Sequence, residues 1–284
     1  MKSTLAKLHL LAAAALTATG SLLATPFGTE ITISDGNYSG SGWYSNREDQ
    51  ETETNPNTVT SQQWDLEGMF QNGTQLTLVG GYDFKNGVTW SDGHNYKSGD
   101  IFIDVNGDAK YGPANAGSGA TGYGPGPHTA TMANSFGYDY VLDLNFTSMT
   151  YNVIALTPAS LVTRVVDVES SNPWTYYSGG SAVLGYQNVA FTYTPGLSNA
   201  YTGFEGDSTN STGWSTGSNT HYAIAVDLSF LTTVTTGNAT LHYTMECGND
   251  NLMGYYNVPD SGVTALLFGL GLASLAGLRR KLVR

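Results

Sequence analysis

The sequence predicts an all-β protein, an antiparallel β-sandwich of jelly-roll type, between an N-terminal signal helix and a C-terminal transmembrane helix. Two observations predict the β fold. Apolar and polar side chains alternate with a period of two in several stretches, as they do in half-buried strands. The 284 residues include 35 glycines and 18 tyrosines but only 12% charged residues, a composition typical of β structure with many turns.

The signal helix is predicted at residues 1–24. Lys2 and Lys7 precede an apolar run over residues 8–18, and small residues follow that run. This order of basic, apolar and small residues is typical of a secretory signal peptide. Cleavage after Gly20 fits the preference for small residues near the cut, and Ala24 is the alternative site. We therefore expect an exported protein.

The β-sandwich is predicted over residues 25–256 as one domain, because no internal repeat divides this body and no long stretch of it has helical period. Glycine turn pairs such as Asn72-Gly73 and Asn106-Gly107 separate the alternating stretches. About ten strands joined by such turns favour an antiparallel sandwich. The predicted strands are 138–146, 222–230 and 241–245, with weaker alternation at 30–34, 74–79, 100–105, 151–156 and 182–194.

The body between the two ends is strongly acidic. Its five basic residues stand against 22 acidic ones, which leaves a formal charge of −17. Such a surface repels nucleic acid and anionic lipid, so we expect no nucleic-acid partner. The acidity is explained either by solubility outside the cell or by carboxylates paired with calcium. Cys247 is the only cysteine, so no intrachain disulfide can form.

The strongest candidate for a metal site is the acidic stretch at residues 99–108. Asp100 begins a predicted strand, and Asp104, Asn106 and Asp108 alternate along the Asn-Gly turn that ends it. Calcium accepts six to eight oxygen ligands from carboxylates, amide carbonyls and the backbone. The sequence therefore predicts calcium as a possible cofactor. A plain Asn-Gly turn with solvated aspartates explains the same residues.

A second acidic cluster follows the last predicted strand, shortly before the C-terminal tail. Glu246 and Asp250 lie in this segment. If the two ends of the body meet, one of these carboxylates could share a calcium ion with Asp35 of the first turn. A solvated exit loop is the alternative.

Aromatic residues in polar segments suggest a carbohydrate-binding module as an alternative function. Trp174 follows Asn172-Pro173, and Trp214 lies among glycines and serines. Exposed flat rings stack on sugar faces, whereas buried rings fill a core. These two tryptophans are the candidate carbohydrate-binding residues.

Enzyme function has little support in this sequence, and we assign no catalytic residues. The histidines are scattered along the chain and lack metal-ligand spacing. A secreted glycoside hydrolase stays an alternative because its two carboxylates need only spatial proximity. Carboxylates that could form such a pair are Glu48, Glu51, Glu53, Asp65, Glu67 and Glu205.

The C-terminal segment, residues 257–284, has three parts in a fixed order. Val258-Pro259-Asp260-Ser261-Gly262 comes first, an uncharged stretch over residues 263–278 follows, and Arg279-Arg280-Lys281 comes last. A helix of this length spans about 24 Å, short of a ~30 Å hydrocarbon core. Basic residues after the span place the terminus in the cytoplasm and the body outside. The stretch is a marginal membrane span, and an ordinary tail anchor is one interpretation.

This tripartite tail closely resembles the VPDSG variant of the PEP-CTERM sorting signal of Gram-negative bacteria. The resemblance implies that an exosortase processes the chain, with Pro259, Asp260, Ser261 and Gly262 as recognition residues. It also implies transient residence in the inner membrane, followed by release to the cell surface or the extracellular matrix.

The body is similar to the same group of exosortase-dependent surface proteins through three segments, residues 99–104, 137–144 and 245–252. That group has no settled biochemical activity. We therefore expect a non-enzymatic surface or matrix protein associated with the exopolysaccharide of a biofilm. The alternatives are a carbohydrate-binding module that recognises exopolysaccharide and a secreted glycoside hydrolase.

Overall fold

The computed structural model describes residues 26–33, 62–90, 93–110, 129–166, 171–202, 220–235, 237–248 and 250–259. Of these residues, 52% lie in strands or bridges and 7% in helices, and the paired strands are antiparallel. The predicted all-β class is confirmed. The signal helix and the C-terminal apolar stretch lie outside the described residues. Within the described residues, no helix has the length and apolar character needed to cross a membrane.

The helices are short and few among the described residues. They are a 3₁₀ helix Gln62–Trp64, α1 Asn199–Thr202 and α2 Leu231–Val234. The strands are β1 Thr29–Glu30, β2 Gly68–Asn72, β3 Gln75–Gly80, β4 Val88–Thr89, β5 Asn95–Tyr96, β6 Ile101–Asp104, β7 Thr129–Ala133, β8 Tyr140–Asn145, β9 Thr150–Ala155, β10 Leu161–Val165, β11 Thr175–Ser178, β12 Ser181–Ala182, β13 Val189–Ala190, β14 Thr192–Ser198, β15 Thr220–Asp227, β16 Asn238–Thr244 and β17 Asn251–Asn257.

Two large sheets form the body in the described part of the chain. The first has the strand order β1-β2-β3-β15-β14, and the second has the order β12-β9-β8-β6-β16-β17, with β13 also beside β9. A smaller sheet, β11-β10-β7, and the β4-β5 hairpin complete the described strands. This strand order does not confirm the jelly-roll connectivity that the sequence predicts.

One hydrophobic core joins the two large sheets, as in a β-sandwich. Leu78 and Ile224 of the first sheet belong to the same buried cluster as Leu142 and Leu241 of the second. The opposite face of the second sheet is also covered. There, Phe102 and its neighbours pack with Val162 of β10 from the small sheet. The central strands β6, β8 and β9 of the second sheet are therefore covered on both faces.

The clearest predicted strands correspond to β8, β15 and β16. However, β15 ends at Asp227, three residues before the predicted end. Leu228 and Phe230 lie instead in the turn into α2, where the Leu231 N–H donates to the Leu228 carbonyl at 3.0 Å. Both side chains are fully buried. Their burial at a turn explains why the apolar alternation, which predicts strand, continues past the end of β15.

The predicted strand at residues 182–194 is wrong as a single element. The structure divides this stretch among β12, β13 and the start of β14. Gly185 and Asn188 interrupt it, with φ angles of +85° and +54°. Positive φ is incompatible with a continuous strand, so the chain turns here.

Strand β17 was not predicted. Leu252 and Tyr256 belong to the main core, whereas Met253 packs on Ile33 in a separate cluster. Met253 Sδ also lies 3.1 Å from Nδ1 of the buried His242. The first four residues of β17 are buried on both faces, whereas Tyr255 and Asn257 are exposed, so the strand shows no regular alternation of apolar and polar side chains.

The first described residues join the two sheets at one edge. The Ile31 N–H donates to the Met69 carbonyl of β2 at 2.8 Å, and the Ile31 carbonyl accepts the Tyr255 N–H of β17 at 3.0 Å. The Ile33 N–H then donates to the Met253 carbonyl at 2.7 Å. The beginning and the end of the body therefore lie side by side.

Candidate functional site

The chain leaves the body at the end of β17, where the predicted sorting motif begins. The Asn257 N–H donates to Gln71 Oε1 at 3.0 Å, and Gln71 Nε2 donates to the Asn257 carbonyl at 2.6 Å. The Tyr256 hydroxyl donates to the Gly73 carbonyl at 3.2 Å. These bonds hold the last residues of the strand against the β2–β3 hairpin. We name this group of contacts the exit clamp.

The first residue of the motif belongs to the fold. Val258 is only 6% exposed and is a member of the main hydrophobic core, and Pro259 is half-buried. The body therefore continues to Val258, two residues beyond the predicted boundary at residue 256. The motif residues Asp260, Ser261 and Gly262, and the basic residues Arg279, Arg280 and Lys281, lie outside the described residues.

The predicted calcium loop is an Asn-Gly turn braced by its own aspartate. Asp104 Oδ1 accepts the N–H groups of Asn106 at 3.0 Å and Gly107 at 2.8 Å, and Oδ2 accepts the Ala109 N–H at 3.1 Å. The Asp108 N–H donates to Asn106 Oδ1 at 2.9 Å. Gly107 has a φ of +82°, a conformation that glycine adopts without strain. The carboxylate thus stabilises the turn directly.

Asp139 joins this loop and was missed by the sequence analysis. It precedes β8, and its Oδ2 accepts the Val105 N–H at 2.8 Å while Oδ1 accepts Asn106 Nδ2 at 3.0 Å. Burial raises the pKa of Asp139, and the nearby charges of Asp104 and Asp108 raise it further, against the two N–H donors. Asn106 and Asp139 are 33 positions apart in the sequence, so local spacing could not reveal the contact.

Asp100 lies at the other end of β6 and does not reach this loop. Its Oδ1 accepts the Leu144 N–H and its Oδ2 accepts the Tyr176 N–H, each at 2.8 Å. Burial raises the pKa of Asp100 to about 8, the charge of Asp143 adds to this rise, and the two N–H groups oppose it. Asp100 therefore connects β6 with β8 and β11. A shared ion with Asp104 finds no support in this arrangement.

The second acidic cluster is also divided between different partners. Glu246 Oε1 lies 3.1 Å from His94 Nε2, and Glu246 Oε2 accepts the Lys97 N–H at 3.0 Å. Asp250 Oδ2 accepts the Leu66 N–H at 2.8 Å. Asp35 lies outside the described residues. The ends of the body do meet, but backbone hydrogen bonds join them there.

The described part of the chain contains no preformed metal site. No group of three or more His, Cys, Asp and Glu side chains in that part could hold a metal ion. The oxygen atoms of Asp104 and Asp139 instead accept hydrogen bonds from backbone N–H groups of the loop. Calcium at the loop therefore stays a prediction.

Trp174 is half-buried and lies between β10 and β6. Its backbone N–H donates to the Thr163 carbonyl at 3.0 Å, and its backbone carbonyl accepts the Asp100 N–H at 3.0 Å. A Cβ atom at Gly99 would lie 2.8 Å from Cδ1 of the indole, so the ring lies directly on this glycine. Such contacts are typical of a ring that anchors a loop. Trp214 lies outside the described residues.

Two of the carboxylates considered for a hydrolase lie in the described residues, and both are buried. Glu67 Oε1 lies 2.9 Å from His221 Nε2 and accepts Gln62 Nε2 at 2.9 Å. The side chains of Glu67 and His221 are both fully buried. Asp65, at 2% exposure, lies two residues earlier. These contacts place the group inside the fold, and the other four carboxylates lie outside the described residues.

Comparison with known proteins bears on the C-terminal end. Residues 257–282 match the family described as VPDSG-CTERM motif. A search of curated proteins and a search of solved structures each found no match. The match begins at the last residue of β17 and includes all three parts of the tail. The chain therefore carries a VPDSG-CTERM motif, and this motif starts where the β-rich body ends.

Proposed function

We propose that this chain is a non-enzymatic surface protein that is exported, sorted by an exosortase through its C-terminal tail, and then displayed at the cell surface or in the extracellular matrix. The observation that carries this proposal is the VPDSG-CTERM match at residues 257–282. The tail contains an apolar stretch and a basic end, which suit transient residence in the inner membrane. The acidic β-rich body is then the delivered cargo.

The experiment follows the tail in a Gram-negative strain that has an exosortase. The full chain carries an epitope after Arg284 that reports the tail, and an antibody against the body detects the rest of the chain. We expect the wild-type chain to lose the C-terminal epitope and reach the surface. Asp260→Ala should keep the epitope, whereas Asp92→Ala, an acidic change outside the motif, should behave as wild type. Tail removal that continues unchanged without the exosortase would contradict the proposal.

Polysaccharide binding is a second candidate function, favoured by one exposed aromatic ring. Tyr177 on β11 is 62% exposed, whereas the neighbouring Trp174 is half-buried. An exposed ring of this kind can stack on a sugar face. We expect Tyr177→Ala to weaken binding to purified exopolysaccharide without loss of stability, and Trp174→Ala to lower stability. Release of reducing ends in the same assay would support a hydrolase instead, and absence of binding would remove this candidate.

Calcium stabilisation is the third part of the proposal. Asp104, Asp108 and Asp139 carry charges that repel one another across the loop, and a cation would relieve this repulsion. We expect calcium to raise the melting temperature of the exported chain and a chelator to reverse the rise. Asp139→Asn should reduce the response, whereas Asp83→Asn, in the turn that follows β3, should leave it intact. Identical melting temperatures with calcium and chelator would exclude the site.

A further inference from the structure

We propose that the folded body keeps the start of its sorting motif closed, so that the end of β17 must open locally before an exosortase can engage the whole motif. The proposal rests on the proposed sorting function and adds a control step within this chain. Two features of the described residues support it, the burial of Val258 and the exit clamp. The third is the small number of residues between the body and the apolar stretch in the sequence.

The first feature is the position of Val258. This residue is 6% exposed within the main core. An enzyme that binds a peptide segment generally holds it in extended form, with side chains on both sides of it accessible. A valine packed in a core cannot occupy an enzyme pocket at the same time. Full engagement of the motif therefore requires Val258 to leave the core.

The second feature is the exit clamp, which holds the preceding residue. The side-chain amide of Gln71 bonds both the N–H and the carbonyl of Asn257, at 3.0 Å and 2.6 Å. This arrangement imitates the pairing of one more strand residue. The strand itself pairs with β16 over seven residues, from Asn238↔Asn257 to Thr244↔Asn251. The clamp therefore fixes the end of β17 that leads into the tail.

The third feature is the short connection between the body and the apolar stretch. Only residues 259–262 separate Val258 from the apolar stretch that begins at Val263. Four residues span at most about 14 Å when fully extended. The folded body must therefore lie next to the membrane while the tail is inserted. An enzyme that works in this gap would gain room only if the end of β17 opens.

Local opening is physically accessible because the clamp lies at the surface. Both hydrogen bonds between Gln71 and Asn257 are exposed to solvent. Strand ends at the surface open with a much smaller free energy than the whole domain does. Removing the Gln71 side chain should raise the open population, while the core of the sandwich stays folded.

The experiment compares two glutamine variants in the full chain. Gln71→Ala removes the clamp. Gln187→Ala is the matched control, because Gln187 Nε2 also bonds backbone carbonyls, those of Val153 and Tyr186 at 2.9 and 3.0 Å, but at the opposite edge of the sheet. In a pulse-chase assay we expect Gln71→Ala to lose its tail about threefold faster than wild type. The loss of one hydrogen bond raises the equilibrium constant for opening of the strand end by about two- to tenfold. Gln187→Ala should match wild type.

A second measurement tests the same step without the sortase. Val258→Cys and Pro259→Cys are each introduced into the full chain, where the natural Cys247 is buried and gives the background. We expect a maleimide to label Cys at 258 at least about tenfold more slowly than at 259, and Gln71→Ala to accelerate labelling at 258 about threefold. Equal labelling at both positions, or unchanged tail removal in Gln71→Ala, overturns the proposal. If the wild-type tail is never removed, the sorting function fails, and the labelling rates still decide whether the motif is closed.

Discussion

Three buried carboxylates of the described residues accept hydrogen bonds from the backbone. Asp100, Asp104 and Asp250 each accept main-chain N–H groups, and each connects segments that are distant in the sequence or braces a turn. Backbone N–H donors replace the water molecules that a carboxylate loses when it is buried. The acidity of the body is therefore only partly a surface property. Part of it holds the fold together.

Asp100 gives a prediction at the scale of one residue. Its pKa in the folded protein is about 8, above the ordinary value of 3.8, so the folded protein binds an extra proton between these pH values. The stability that this carboxyl contributes is full below pH 3.8 and is lost as the pH rises to about 8. We expect Asp100→Asn to lower the free energy of unfolding by about 1–3 kcal/mol at pH 5.

The same difference should shrink at pH 9. There, the wild-type protein buries a charged carboxylate, whereas the variant does not change its charge. Urea unfolding of both proteins at pH 5 and pH 9 measures this directly. A difference that is constant across the pH range would show that Asp100 keeps one protonation state in both the folded and the unfolded protein.

At the scale of elements, β17 decides where the body ends. Its seven residues complete the second sheet, and Val258 adds a further apolar side chain to the core. We expect a body of residues 25–259 to be more stable than one of residues 25–256. The shorter body lacks both Asn257 hydrogen bonds and the buried valine, whose burial contributes about 1.5–3 kcal/mol.

Chemical denaturation of the two bodies tests this boundary. The midpoint should be lower for residues 25–256, while the spectrum of the β structure stays the same. A body of residues 25–259 with Val258→Ala serves as the intermediate case, since it keeps Asn257 and loses only the core methyl groups. Equal midpoints for the two lengths would mean that the fold ends before Asn257.

At the scale of the whole molecule, residues 31–33 join the two large sheets and bring both ends of the described body to one edge. Thr32 lies at the centre of this joint, where its Oγ1 accepts the Met69 N–H at 2.9 Å and it bridges to Gly254 of β17. Residues 1–24 form the predicted signal peptide, so the first strand begins shortly after the cleavage site. If the predicted signal peptide and the predicted apolar tail are both present in the precursor, we expect them to begin near the same edge of the body.

Thr32→Val tests how much the joint stabilises the whole fold. The substitution keeps the shape and removes the hydroxyl, which leaves the Met69 N–H without its acceptor. We expect the free energy of unfolding to fall by about 1–3 kcal/mol, the usual effect of an unsatisfied buried donor. Thr163→Val on β10 is the control, and thermal unfolding of the exported chain is the measurement. An equal fall in the free energy of unfolding for both substitutions would contradict a specific stabilising role of the Thr32 hydroxyl.

The candidate site could be predicted only where its signal is local. The motif from Val258 to Gly262 and the basic residues after the apolar stretch are contiguous, and their match is confirmed. The Asp104 loop was also located, because its turn depends on adjacent residues. Asp139 could not be found, since it reaches the loop through strand pairing. Trp174 was placed in a loop, but its contact with Gly99 depends on the packing of the small sheet.

The sequence by itself determined the β class, the sandwich's clearest strands and the sorting tail, because alternation, turn residues and contiguous motifs act over a few residues. Only the tertiary structure decided that β17 exists, that Val258 belongs to the core and that the two ends meet beside Met69 and Met253. These features depend on hydrogen bonds and contacts between residues far apart in the chain. A strand such as β17, with buried residues on both faces over half its length, carries no alternating pattern, and a core position is defined by its neighbours in space.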